Sequence, residues 1–216
     1  MDHRRKLLIV VVLTFVITLS GGFLTEYIRQ SITYSWAINV DDEFVYEVSV
    51  TGNATMGSQI LPPLFEPMNN TRIIVEITSL PNLTLMYYAH VFLHEVIEYP
   101  KTYSRFEDGS TIPSEFRNAI NSHASWSILP VGAWVHLDSL FPDQINRALP
   151  NHEAFLSRMG SDSFFFGYWA NRTYSRSEWY GIIDLETGVP SVLSFSVWTE
   201  GQPWIQNYNV LMTLDN

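Results

Sequence analysis

The spacing of hydrophobic and polar positions changes several times along the chain, and each spacing predicts a different element. Leu7 to Leu24 reads LLIVVVLTFVITLSGGFL, with no charge and no continuous polar face. As a helix rising about 1.5 Å per residue it reaches roughly 27 Å, enough to cross the hydrocarbon of a bilayer. Arg4, Arg5 and Lys6 precede it, and such a basic flank stays on the cytoplasmic side. Two readings remain open. The run is either an uncleaved signal anchor or a signal peptide cut near Ser20 or Gly22. Both export the rest of the chain.

Beyond a link at residues 25–34 the spacing shortens to two. Trp36, Ile38 and Val40 alternate before an Asp41–Asp42 turn, and residues 44–50, FVYEVSV, read as a strand ended by Gly52 to Gly57. The prolines at 62, 63 and 67 exclude a helix or an inner strand there. Residues 72–80, RIIVEITSL, place Ile73, Val75 and Ile77 on one face of a second strand. Residues 83–98, LTLMYYAHVFLHEVIE, favour a bent strand by their aromatic and β-branched content, with a helix as the alternative.

A short helix is predicted after Thr111, with Pro113 in its first turn, running through Ile120. A second is predicted over His152 to Met159, capped by Asn151 and ended by Gly160. Four strands follow: residues 164–170, 179–185, 189–198 and 205–214. Asp184 to Gly188 makes the tightest of their turns, with Gly188 at positive φ. The expected fold is mostly β, an antiparallel curved sheet or two-layer sandwich with one or two short helices, preceded by a single N-terminal transmembrane helix. Its parts are a basic cytoplasmic segment (1–6), the anchor (7–24), the link (25–34) and an extracellular β-rich domain (35–216).

Charge narrows the partners. From Ser31 onward there are 8 Lys and Arg against 20 Asp and Glu, a net charge of −12. That surface repels phosphate backbones and excludes nucleic acid as a natural partner. The chain has no cysteine, which removes thiol catalysis, thiolate metal sites and disulfides. Sequons at Asn53, Asn69, Asn82 and Asn171 fit glycosylated surface loops, or four turns.

Candidate chemistry is sparse. His90 and His94 lie four apart, next to Glu95, but HVFLHE lacks the Glu between the histidines that a zincin uses as its base. They are weak metal candidates, and no metal or cofactor is assigned. His136 and Asp138 would share a strand face as base and orienting carboxylate, yet no nucleophile motif accompanies them. Phe164, Phe166, Tyr168, Trp169, Trp179 and Tyr180 serve either as core or as the wall of an apolar ligand site. A curved sheet with helices over its concave face would leave such a pocket.

The stretch W-x-I-x-V-D-D-E-F-x-Y-x-V from Trp36, and the hairpin YGIIDLETGV from Tyr180 to Val189, resemble uncharacterised β-rich domains of archaeal, including Asgard archaeal, cell-surface proteins. The hairpin is also similar to that of curved-sheet lipoprotein carriers, though this chain lacks their lipidated cysteine. The first resemblance implies a membrane-tethered outer domain. The resulting expectation is a non-enzymatic, glycosylated ectodomain at the cell membrane, single-pass, or secreted if cleaved. It would be held in the bilayer by residues 7–24 and would bind a protein or envelope component, assemble with itself or mediate adhesion. A hydrophobic-ligand or lipid-binding domain and a metal-dependent hydrolase are the alternatives.

Overall fold

A computed structural model describes residues 34–83, 99–132, 134, 137, 138, 151–201 and 204–215. Its strands are β1 (Glu43–Met56), β2 (Gln59–Leu61), β3 (Thr71–Ser79), β4 (Lys101–Phe106), β5 (His152–Met159), β6 (Ser163–Arg172), β7 (Ser175–Asp184), β8 (Pro190–Gly201) and β9 (Trp204–Leu214). Helix α1 (Ser114–Ser127) lies between β4 and β5. All nine strands belong to one sheet, in the order β4-β3-β1-β9-β8-β7-β6-β5, with β2 paired to β1. The pairing is antiparallel throughout.

Alternation decides which face is buried. In β1, Tyr46, Val48 and Val50 are buried while Glu47, Ser49 and Thr51 are exposed. Ile73, Val75 and Ile77 do the same in β3. The buried faces of β1, β3, β6, β7, β8 and β9 meet in a single apolar cluster, so the sheet curls around its own core. Tyr46 ties the two arms together, its hydroxyl donating to the Pro190 carbonyl at 2.8 Å. The proline-rich segment before β3 closes one end: Phe65 packs at 5.0 Å from Phe116, 5.3 Å from Phe195 and 5.6 Å from Tyr208.

Helix α1 lies on the concave face. Its buried positions, Phe116, Ile120, Ala124 and Ser127, recur at intervals of four and three, so one stripe meets the sheet. It runs a full seven residues past the predicted end at Ile120 and stops ahead of Leu129-Pro130, where proline disfavours helical backbone in the residue before it. Close contact needs a small partner beneath. Gly181 supplies it, since a β-carbon there would lie 3.0 Å from the Ser127 Cβ.

Several expectations are corrected. His152 to Met159 is not a helix but the edge strand β5, in register with Asn171 to Phe164 of β6. β1 does not end at Gly52 but continues to Met56, pairing with β9 along its length. Among the described residues no helix is long and apolar enough to cross a membrane. Helix α1, with 14 residues and one polar side, reaches only about 21 Å. Residues 7–24, on which the transmembrane helix was expected, lie outside the described residues. The single-pass topology, the bilayer partner, the cell-membrane location and the membrane-tethered binding or adhesion role therefore go no further.

Candidate functional site

The row of side chains that faces α1 across the middle of the sheet is aromatic. Phe155 of β5 opposes Tyr168 of β6, Tyr168 opposes Trp179 of β7, and Trp179 opposes Phe195 of β8. The neighbouring row on the same face is small, with Ala170, Ser177 and Val197 in register. A large row beside a small row leaves a depression, and α1 bridges it with His123 and Trp126. The result is a pocket of about 620 Å³ with Tyr99 and Glu153 also at its border.

Helix α1 contributes one titratable side chain to the pocket, His123. His123 is stacked on Phe195 at 4.3 Å with nearly parallel rings, and meets Trp126 at 5.2 Å and Trp179 at 6.3 Å edge-on. Its Nδ1 lies 2.7 Å from the Ala119 carbonyl, one helical turn back. A carbonyl only accepts, so Nδ1 carries the proton and Nε2 is the bare acceptor. Burial pushes the imidazole pKa down to about 4, against the smaller upward pull of that carbonyl. His123 is thus neutral at ordinary pH. At the rim the Tyr168 hydroxyl donates to Glu153 Oε2 at 2.6 Å, and burial followed by this carboxylate raises the phenol to about 12.

The depressed imidazole has a consequence for stability. Between its folded value of about 4 and its unfolded value of 6.5 the unfolded chain binds the additional proton, so stability rises with pH across that window. The loss on acidification from pH 6.5 towards 4 should be on the order of 3 kcal/mol from this group alone. His123→Phe should flatten the pH dependence of urea unfolding in that range. A slope unchanged by the substitution would show that His123 is not buried neutral.

The aromatic residues singled out in the sequence divide between the two faces. Phe164 and Phe166 are fully buried in the core, while Tyr168 and Trp179 border the pocket. Trp169 is buried on the opposite face, and Tyr180 stacks there on Phe165 at 5.4 Å. His123, Trp126, Phe155 and Phe195 were not singled out. The sequence signal for the helix pair was an imidazole and an indole three apart, but only with α1 extended past Ile120.

The remaining candidates do not gather here. His90, His94 and His136 lie outside the described residues. Asp138 is used structurally: its Oδ1 accepts from the Met159 backbone N–H at 2.9 Å and holds the edge of β5. Among the described residues no group of three or more His, Cys, Asp and Glu side chains could hold a metal ion. Asn53 and Asn82 are exposed, and Asn69 accepts from the Val50 N–H at 2.8 Å. Asn171 sits inside β6 rather than in a loop, only 9% exposed, and Arg176 Nε donates to its Oδ1 at 3.3 Å.

Comparison with known proteins finds no matching protein family, curated protein or solved structure. The roles of these residues therefore rest on their geometry. What the pocket offers chemically is a mostly aromatic cleft with the His123 imidazole in its wall and the Glu153 carboxylate at its border.

Proposed function

We propose that this domain binds a small, largely apolar organic molecule between α1 and strands β5 to β8. The observation that supports the reading is the pocket's lining at its size. About 620 Å³ lies within the range of small-molecule sites, and such sites are mostly apolar with a few placed polar groups. An aromatic floor gives area and shape selection, because flat rings pack on flat rings in offset or edge-on geometry. The acidic chain disfavours anionic ligands. Catalysis is not part of this proposal, since the hydrogen bond that His123 makes is to its own helix, at the Ala119 carbonyl.

Filling the depression tests the reading. Ser177 lies in the small row, between Ala170 and Val197, at the pocket wall. Ser177→Trp should place an indole where the ligand sits. Binding of a neutral solvatochromic dye such as Nile red, read by fluorescence titration, should weaken at least about tenfold while the urea midpoint moves little. Unchanged dye affinity in a folded Ser177→Trp chain would sink the proposal.

A further inference from the structure

The geometry points to a more specific ligand class, and the inference rests on the small-molecule reading above: we propose that the pocket selects planar aromatic molecules carrying one hydrogen-bond donor, of the phenol or indole type, through His123 Nε2. Three features of the site combine to this. The first is the tautomer, fixed by the 2.7 Å contact of Nδ1 with the Ala119 carbonyl, which leaves Nε2 able only to accept. Among the described residues Nε2 has no protein partner, and His123 borders the pocket.

The second feature is the setting of that acceptor. The imidazole is stacked on Phe195 and flanked by Trp126 and Trp179, so Nε2 keeps a fixed place in a mostly aromatic wall. An acceptor kept among apolar groups gains most from a ligand that donates to it, and a site built in this way rejects the analogue lacking the donor. The third feature is shape. Trp126 and Trp179 lie 5.6 Å apart and tilted by 35°, and Phe155, Tyr168 and Phe195 continue the aromatic surface. That arrangement accepts a flat ring along its faces and edges better than a flexible alkyl chain.

A carboxylate-bearing ligand fails on two grounds. Its carboxylate oxygens can only accept and so cannot serve Nε2, and its charge meets Glu153 at the rim of an acidic domain. Protonation of His123 could answer the first, but the ring is not a cation at neutral pH. Selection therefore runs towards a neutral donor.

The test uses the purified full chain and four probes: indole, 1-methylindole, p-cresol and indole-3-acetate, with affinity read by calorimetry. Indole and p-cresol should bind about tenfold tighter than 1-methylindole, which keeps the ring and blocks the donor, and indole-3-acetate should bind weakest. His123→Phe keeps the stack on Phe195 and removes the acceptor. In that variant the preference for indole over 1-methylindole should vanish, whatever the change in aromatic binding common to both. A nitrogen NMR shift of Nε2 on adding indole to the native chain should report the new hydrogen bond independently of affinity. Equal binding of indole and 1-methylindole, insensitive to His123→Phe but lost in Ser177→Trp, would overturn the donor selection and leave the pocket reading standing. No binding of any aromatic probe would overturn both.

Discussion

Gly188→Val should destabilise the domain by about 3 kcal/mol or more, whereas Thr187→Ala next to it should cost about 1 kcal/mol. Two independent constraints meet at Gly188. Its φ is +71°, a left-handed conformation that a side chain with a branched β-carbon resists. Its α-carbon also faces the segment that follows α1, and a β-carbon there would stand 2.0 Å from the Leu129 carbonyl oxygen. The two backbones are joined at this point, the Leu129 N–H donating to the Gly188 carbonyl at 2.9 Å. A substitution must therefore either break the turn or push the end of α1 away from the sheet. The pocket would open with it, because His123 and Trp126 ride on that helix.

Thr187 acts within the turn alone. Its hydroxyl donates to Asp184 Oδ1 at 2.9 Å and accepts from the Val189 N–H at 3.3 Å. Asp184 also receives the backbone N–H groups of Glu186 at 3.0 Å and Thr187 at 2.8 Å. Burial opposes its charge, but the hydrogen bonds from Thr187 and Glu186 prevail and hold its pKa below the usual carboxylate range. Losing one hydroxyl leaves the other two donors in place. Urea unfolding of the two variants beside the native chain checks the difference, and equal losses would show that Gly188 is not a point of forced contact.

This hairpin was legible because its chemistry is local: an Asx-type acceptor, a hydroxyl and a glycine at fixed offsets. The strands Glu43–Met56 and Thr71–Ser79 were legible for a similar reason, since Tyr46, Val48, Val50 and Ile73, Val75, Ile77 alternate against polar neighbours. Strand β5 misled because eight residues carry too few turns to separate the two periods, and its flanks mimic helix caps. Asn151, read as an N-cap, has φ +53° and belongs to a turn. Gly160, read as a helix end, donates to the Ser163 carbonyl at 2.8 Å across the β5–β6 hairpin.

The pocket was legible in outline, as the space a curved sheet leaves under helices on its concave face, but not as an assembled site. Tyr168 and Trp179 were among the aromatic candidates, but their partners on α1 come from a stretch whose serines at 122, 125 and 127 lowered its helical signal. Ser127 and Gly181 pack where two larger residues would have held the helix off the sheet. That closeness is a tertiary fact. It depends on residues 54 apart in the chain and leaves no periodic trace.

The same tertiary logic separates two neighbouring phenylalanines that composition cannot distinguish. Phe166→Ala should lower stability by about 3–5 kcal/mol, and Phe165→Ala by about 1 kcal/mol. Phe166 has no exposed surface, and it stacks on Phe155 at 6.0 Å and meets Trp179 edge-on at 5.6 Å. Removing its ring leaves a void beneath the pocket floor, and β6 cannot close over it because Gly167 and Trp179 are already in tight backbone contact. The loss is then the transfer energy of the ring plus the unfilled cavity. Phe165 points to the other face, where it is half-buried and stacks on Tyr180, so its deletion removes one ring contact and leaves water to fill the space. The pair also reports on function. Phe166→Ala should loosen Trp179 and weaken dye binding, while Phe165→Ala should leave the pocket untouched. Similar unfolding losses for the two, measured in urea under the same conditions, would mean that the concave face is not the principal core of this sheet.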